Sequence, residues 1–162
     1  MEIRRTRPED LPQLLAIYER ARAFMAETGN PDQWGPRRWP PEELLREDIA
    51  AGRSYVCEKD GKIVGTFCYL FGDKIDETYA VIDGAWSQDA PYGVVHRIAA
   101  DGTKGVGTFC LEWALAQSGY LRIDTHEDNR VMRNLLTKLG FRPCGIIRLA
   151  NGDPRTAYDK IR

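Results

Sequence analysis

Apolar residues recur along the chain at the spacing of four amphipathic helices. Residues 11–25 carry Leu, Tyr, Ala or Met at every third or fourth position, so one face is expected to be buried. Pro8 suits the first helical position of this segment, and Gly29 is expected to end it. Three further helices, each followed directly by a glycine, are predicted at residues 42–51, Val106–Ser118 and 129–139.

Runs rich in β-branched and aromatic residues predict strands at residues 3–6, 54–58, 62–71, 77–86, 94–100, 121–125, 141–149 and 155–161. Asp60-Gly61 separates the second and third runs, which is a strong hairpin signal. Gly65, inside the third run, indicates a bulge or a close approach by another backbone. The order β-α-α-β-β-β-β-α-β-α-β-β predicts an α/β (α+β) fold with a mixed sheet and helices on both faces.

The 162 residues fit a single domain, residues 1–162, that is large enough to bury a core. A net charge of −1 without a polybasic stretch gives no reason to expect nucleic acid or a membrane as a partner. The charged first residues lack a signal-peptide core, so a cytoplasmic protein is expected. With two histidines and no C-x-x-C pair, no metal site is expected, and the cysteines are interpreted as reduced core thiols.

A glycine turn, defined here as residues 102–108 (G-T-K-G-V-G-T), joins the predicted strand 94–100 to the helix Val106–Ser118. Gly105, Gly107 and Thr108 lie where the turn becomes helix, and a helix start offers unpaired N–H groups and a positive dipole end. Such a place suits a phosphate. A glycine turn without a ligand is the alternative that these residues leave open.

Two better-known phosphate motifs do not fit this turn. A Walker loop requires G-x-x-x-x-G-K-[ST], and the spacing after Gly102 does not supply it. A dinucleotide fingerprint requires a third glycine where this chain has Cys110, and it belongs to the first strand of the unit. The turn therefore predicts a phosphorylated cofactor of another kind.

The chain resembles the GNAT superfamily of N-acetyltransferases over nearly its whole length. The resemblance is carried by H-R-I-A-A leading into K-G-V-G-T, and by N-x-x-M-x-x-L-L-x-K-L-G-F at residues 129–141. Gly105-Val106-Gly107 matches the G-x-G of the family motif [RQ]-x-x-G-x-[GA]. Gly102 stands where the family usually has Arg or Gln, and the turn is a few residues shorter than usual.

The resemblance implies a sheet that is splayed between the parallel strands 94–100 and 121–125. The pantetheine arm of acetyl-CoA would enter the opening and pair with the main chain there, while amides of the glycine turn hold the pyrophosphate. The implied acetyl-CoA contacts are Ile98, Ala99, Ala100, Lys104, Gly105, Val106, Gly107, Thr108, Asn129 and Arg133.

Acetyl transfer to an amine needs a neutral nitrogen, and an alkyl ammonium has a pKa of roughly 10.4, so a base assists. His96 is the first candidate for that base. It lies two residues before Ile98, so strand alternation puts both side chains on one face. The Ile98 N–H is expected to polarise the thioester carbonyl. A histidine that is merely hydrogen-bonded in the core stays open as the alternative.

Leu136 stands where the family often has a tyrosine that protonates the departing thiolate. Tyr69, Tyr79, Tyr158 or water could replace it, and the sequence does not choose among them. The substitution also keeps a second function open, that of a sensor or scaffold that binds acetyl-CoA without catalysis.

The acceptor pocket is predicted to involve the proline-rich loop 30–41 and the last hairpin, with Trp34, Trp39, Tyr79 and Trp86. The two loop tryptophans could equally seal the edge of the core. The expected acceptor is a primary amine, either a small molecule or a peptide N-terminus or lysine, acetylated by direct transfer in a ternary complex. A homodimer is left open.

Overall fold

The computed structural model describes all residues from 1 to 162. The strands are β1 Glu2–Arg5, β2 Ser54–Lys59, β3 Lys62–Gly72, β4 Asp83–Gly84, β5 Tyr92–Ala100, β6 Tyr120–Thr125, β7 Arg142–Arg148 and β8 Pro154–Ile161. The helices are α1 Leu11–Glu27, α2 Glu42–Ala50, α3 Val106–Ser118 and α4 Arg130–Lys138. The predicted order of elements is confirmed.

All eight strands belong to one sheet, in the order β1-β2-β3-β5-β6-β8-β7-β4. Every neighbouring pair is antiparallel except β5 and β6, which run parallel because α3 connects them. The sequence-based prediction of a mixed sheet is therefore correct, and its one parallel pair lies near the middle.

No helix combines the length and the apolar composition that a bilayer span requires.

The helices cover both faces of the sheet. Successive residues of β2 show this, because Val56 packs in the cluster of α1 and α2, whereas Cys57 packs in the cluster of α3 and α4. All four cysteines are buried and free. A third cluster, built around Tyr92 and Tyr120, fills the side of the sheet near β7 and β8.

The hairpin between β2 and β3 forms where Asp60-Gly61 predicted it. Asp60 has a φ of 53° and Gly61 a φ of 77°, as a two-residue hairpin turn with two positive φ angles requires. Both alternatives predicted for Gly65 are present, since the register of β2 and β3 shifts beside it and a Cβ there would lie 3.3 Å from the carbonyl oxygen of Ala99. The same Cβ would lie only 2.5 Å from Cγ1 of Val106. Only glycine therefore lets the start of α3 pack this close to β3.

The predicted strand at residues 77–86 is wrong. Residues Glu77–Tyr79 form a short 3₁₀ turn, and only Asp83–Gly84 pair with β7. The carboxylate of Asp76 accepts hydrogen bonds from the N–H and the hydroxyl of Thr78, at 2.9 and 2.6 Å. This local side-chain bond competes with an extended backbone, and strand propensity did not account for it.

Acid is expected to destabilise the fold partly through Asp159. This buried carboxylate accepts hydrogen bonds from the N–H and the hydroxyl of Ser87 and from the hydroxyl of Tyr120. Burial raises the pKa of Asp159, but these hydrogen bonds outweigh burial and hold the pKa below its usual 3.8. Because the folded-state pKa lies below that of the unfolded chain, this contribution is present above about pH 4 and lost as the pH falls through the folded-state pKa.

Urea unfolding between pH 3 and pH 7 measures this contribution. Asp159→Asn should lower the free energy of unfolding at pH 7 by about 2 kcal/mol, because buried donors lose their charged acceptor. It should also flatten the acid side of the stability curve. An unchanged slope in the variant would show that other carboxylates cause the acid sensitivity.

Candidate functional site

The parallel strands β5 and β6 separate soon after they meet. They pair only at Gly93 with Leu121 and at Val94 with Arg122, and β5 has no partner on β6 beyond Val94. A cavity of about 530 Å³, called the gap cavity below, occupies this divergence. Strand residues that line it are Val95, His96, Arg97, Ile98, Ile123, Asp124 and Thr125. The splayed sheet is thus present.

A β-bulge interrupts β5 at the edge of the gap cavity. On β3, Cys68 pairs with His96 and Thr66 pairs with Ala99, so β5 carries one extra residue in this interval. Arg97 has a φ of 54°, which is unusual for a residue with a side chain. Strain of this kind persists only when the surrounding structure holds it.

Three side chains hold the bulge. The hydroxyl of Tyr18 donates to the carbonyl of Arg97 at 2.6 Å, and burial raises the pKa of Tyr18, which keeps this donor protonated. The guanidinium of Arg97 donates twice to Asp48, from Nε at 3.0 Å and from Nη2 at 2.7 Å. Arg53 donates to the other oxygen of Asp48 at 2.6 Å. Helices α1 and α2 therefore fix the backbone of β5 at the gap.

The bulge separates two residues that the sequence placed on one face. Ile98 packs against the cluster of α3 and α4, whereas the ring of His96 lies 6.1 Å from that of Tyr79 in the cluster on the other face. The prediction of a shared face is wrong, because the extra residue at Arg97 reverses the alternation. Both residues still line the gap cavity.

His96 is paired with a carboxylate that the sequence did not assign to it. Its Nε2 lies 2.6 Å from Oδ2 of Asp76, which Thr78 holds through the other oxygen. Burial raises the pKa of Asp76, but the hydrogen bonds from His96 and Thr78 outweigh burial and lower it. Because an ionised carboxylate only accepts, Nε2 is the donor in this hydrogen bond, and in the neutral form of the ring the lone pair is therefore on Nδ1.

Tyr79 and Trp86 do not line the gap cavity, contrary to the acceptor pocket predicted from the sequence. Tyr79 is only 1% exposed, and its hydroxyl donates to Asp124 at 2.7 Å. Trp86 donates from Nε1 to the carbonyl of Tyr79 and stacks 4.3 Å from the guanidinium of Arg122. The reason is that both aromatic rings are engaged in the packing of the third cluster.

The mouth of the gap cavity lies between the α1–α2 loop and the last hairpin. Trp34 and Trp39 line it from the loop, and the hairpin contributes Leu149, Ala150, Asn151, Asp153 and Arg155. Trp34 also packs edge-on against Tyr18, with ring centroids 5.7 Å apart. Trp34 therefore seals the core and lines the cavity at once, so the two alternatives stated from the sequence are both present.

The glycine turn forms the N-terminus of α3. Gly105 precedes the helix with a φ of 84°, and Lys104 beside it is exposed. The first-turn N–H groups of Val106, Gly107 and Thr108 have no partner within the helix. A Cβ on Gly107 would lie 2.9 Å from Leu135 of α4, so this glycine also permits close helix packing. The residues present fit an anion at this position.

Asn129 and Arg133, the two remaining predicted cofactor contacts, lie at the start of α4. Asn129 caps the helix through Met132 N–H and donates 3.0 Å to Gln33, which the sequence did not single out. Asn129 and Gln33 both line the gap cavity, whereas exposed Arg133 donates to the hydroxyl of Tyr158 at 3.3 Å. Only Asn129 of the pair therefore reaches the cavity.

No tyrosine lines the gap cavity. Leu136 is fully buried in the cluster of α3 and α4, and Tyr69, Tyr79 and Tyr158 lie outside the cavity lining. Thr125 lines the cavity from β6, but its hydroxyl is buried within the protein and has no hydrogen-bond partner.

An opened parallel strand pair, a helix start with unpaired N–H groups and a histidine hydrogen-bonded to a carboxylate suit an acyltransferase, and the family match identifies this class. The sequence model of the Acetyltransferase (GNAT) family matches residues 16–141. The chain belongs to this family, which generally uses acetyl-CoA as co-substrate. A search of curated proteins found no significant match.

Solved structures agree with the family. A GNAT-family acetyltransferase from Streptococcus agalactiae is similar, with 32% identity, a TM-score of 0.90, and coverage of 99% of this chain and 95% of that chain. A ribosomal-protein-alanine N-acetyltransferase from Brucella melitensis shares the fold at 20% identity, with a TM-score of 0.62 and full coverage of both chains. An agmatine N-acetyltransferase shares it at 14% identity, with a TM-score of 0.62 and 99% coverage of each.

Proposed function

We propose that the protein transfers an acetyl group from acetyl-CoA directly to a primary amine in a ternary complex. The acceptor is a small amine, or a peptide N-terminus or lysine. The observation that carries the proposal is the His96–Asp76 pair, with an Nε2 to Oδ2 distance of 2.6 Å, at the place where β5 has lost its neighbour. The names of the Brucella melitensis and agmatine acetyltransferases are consistent with an amine acceptor.

The chain's backbone suits acetyl-CoA at two places. The edge of β5 from Val95 to Ala100 is free to pair with the amides of the pantetheine arm, as strand addition requires. The start of α3 offers N–H groups for the pyrophosphate. When bound, acetyl-CoA supplies the acetyl group as an activated thioester.

His96 is the general base of the proposed reaction. Asp76 accepts a hydrogen bond from the Nε2–H and so favours the tautomer whose Nδ1 takes a proton from the acceptor ammonium, directly or through one water. The carboxylate also stabilises the imidazolium that forms. Geometry, not the sequence spacing, therefore supports the role of His96.

Ile98 is assigned the second catalytic role, through its main chain. The bulge leaves Arg97 and Ile98 without a partner on β3, and neither has one on β6. The Ile98 N–H is therefore the donor we assign to the thioester oxygen. An oriented donor of this kind lowers the activation barrier by on the order of 3 kcal/mol.

A second candidate function is that of an acetyl-CoA-binding sensor or scaffold. The observation that favours it is Leu136, which is 0% exposed and cannot donate a proton where the family often has tyrosine. A sensor would bind acetyl-CoA and never release free thiol, so turnover separates it from the enzyme.

Calorimetric titration with acetyl-CoA, followed by a thiol-release assay over a panel of amines, tests the proposal. Binding with turnover of at least one amine supports it. Binding without turnover of any amine favours the sensor, and absence of binding at millimolar acetyl-CoA sinks both functions.

Gly105→Ala should weaken acetyl-CoA binding about tenfold, which corresponds to about 1.4 kcal/mol. A residue with a Cβ disfavours the φ of 84° that turns the first amides of α3 outward. Gly119→Ala is the matched control, because Gly119 ends the same helix with a φ of 72° and open space around it. Both variants carry similar strain, so equal Kd values in calorimetry would contradict a cofactor site at Gly105.

A further inference from the structure

Arg155 is a buried cation without a counter-charge. It is 8% exposed and lines the gap cavity from β8, and no carboxylate forms an ion pair with it. Its one hydrogen bond within the chain runs from Nη1 to the carbonyl of the preceding residue, Pro154, at 2.9 Å.

Other enclosed arginines of this chain are compensated. Arg97 pairs with Asp48 at 2.7 Å, and Arg122 lies among three aromatic rings and donates to the carbonyl of Gln88. An enclosed guanidinium without such partners is costly, since desolvation is not repaid by a nearby anion. Arg155 is the exception among the enclosed arginines; Arg37, which also lines the gap cavity without an ion pair, is exposed to solvent.

The acids near Arg155 are engaged elsewhere. Asp124 accepts the hydroxyl of Tyr79, and Asp153 is held by Asn151, whose Nδ2 donates at 3.1 Å. Neither forms an ion pair with Arg155. The missing anion therefore comes from whatever enters the gap cavity.

We infer that the acceptor carries a carboxylate as well as its amine, and that Arg155 binds this carboxylate. The inference rests on the proposed function and names its substrate class: an amino acid or a short peptide with a free carboxylate near the reacting amine. The guanidinium fork matches the two oxygens of a carboxylate.

The charges around the gap cavity favour a carboxylate over a phosphate. Asp32, Asp124 and Asp153 also line it, together with Arg97, which is paired with Asp48, and the solvent-exposed Arg37. The three acids repel a phosphate dianion more than a carboxylate monoanion, and they suit the ammonium end of an amino acid. The cavity therefore presents complementary charges for both ends of a zwitterion.

Matched acceptor pairs test the inference on the unmodified protein. Amino acids with the amine at increasing distance from the carboxylate are each compared with their carboxamide and with the decarboxylated amine. The acids should show KM values about tenfold lower or better. Equal or lower KM values for the carboxamides would overturn the inference, as would a preference for phosphoethanolamine.

Arg155→Met is the decisive variant, and Arg148→Met is its control. Arg148 belongs to the same hairpin but is exposed and lies outside the gap cavity. Arg155→Met should raise the KM of carboxylate acceptors about 10- to 100-fold and leave the carboxamides and the KM of acetyl-CoA unchanged. Arg155→Lys keeps the positive charge but not the planar guanidinium, so its KM for carboxylate acceptors should lie between those of the unmodified protein and Arg155→Met. This variant also tests the carboxylate site if Arg155→Met is unstable. A parallel loss for acids and carboxamides would contradict a carboxylate site.

Binding without acetyl-CoA separates failure of this inference from failure of the proposed function. Calorimetric titration with each amino acid of the series should show binding of at least one of them that Arg155→Met abolishes, whether or not acetyl transfer occurs. If no amine is acetylated but this binding persists, the carboxylate site stands and the proposed activity falls. If amines are acetylated with no regard to a carboxylate, the activity stands and the carboxylate site falls.

Discussion

His96→Gln should lower kcat/KM for acetyl transfer by about 10²- to 10⁴-fold, the usual contribution of a positioned general base. Glutamine can still donate to Asp76, so the hydrogen bond of 2.6 Å has a substitute and the fold is expected to persist. The limb of the pH–rate profile in which activity rises as the base loses its proton should disappear. Initial rates of thiol release between pH 5.5 and pH 9 measure both effects.

Two further variants make the assignment of the base specific. His126→Gln is the control, because the other histidine accepts the N–H of Asp128 at the start of α4 and lies outside the gap cavity. Asp76→Asn should cost a smaller factor, about 10- to 100-fold, because it loosens the orientation of the ring and leaves the base itself. A pH profile that His96→Gln does not change would place the base on another residue.

Asp48→Ala should reduce the free energy of unfolding by about 3–5 kcal/mol, the usual cost of leaving a buried charge without its partner. Asp48 is 2% exposed and receives hydrogen bonds from Arg53 and Arg97. Because the same contacts hold the bulge of β5, kcat should fall as well. Urea unfolding and steady-state kinetics on one preparation measure the two effects.

A surface pair on the same helix gives the comparison. Glu42 pairs with Arg46 at 2.8 Å in the first turn of α2, and both side chains are exposed. Glu42→Ala should therefore cost only about 0.3–0.5 kcal/mol and leave kcat unchanged. Adding Arg97→Leu to Asp48→Ala should recover part of the lost stability, since no buried charge then lacks its partner. A similar cost for Asp48→Ala and Glu42→Ala would contradict the role of the network.

Much of the fold could be predicted because its signals are local. Glycines directly after α2 and α3 mark the helix ends, and Asp60-Gly61 defines the hairpin between β2 and β3. The segment 77–86 failed because one side-chain bond from Asp76 replaced the extended backbone that its composition favours.

The candidate site was predictable to a lesser degree. The glycine turn, the splayed strands and the two loop tryptophans lie where residue type and family resemblance put them. The partner of His96 was not predictable, because Asp76 is twenty residues away on an irregular loop. Tyr79 and Trp86 were misplaced, since composition shows neither that Tyr79 donates to Asp124 nor that Trp86 packs on Arg122.

The sequence by itself determined the order of helices and strands, the single parallel pair and the helix start that suits a phosphate. These features depend on residues a few positions apart, whose periodicity and turn chemistry act before any distant contact forms. Only the tertiary structure decided which face His96 occupies, which acid orients it and that Arg155 is left without an anion. Each of these depends on how β5, the loop after β3 and the last hairpin meet in space, and pairing between distant segments is not written in local spacing.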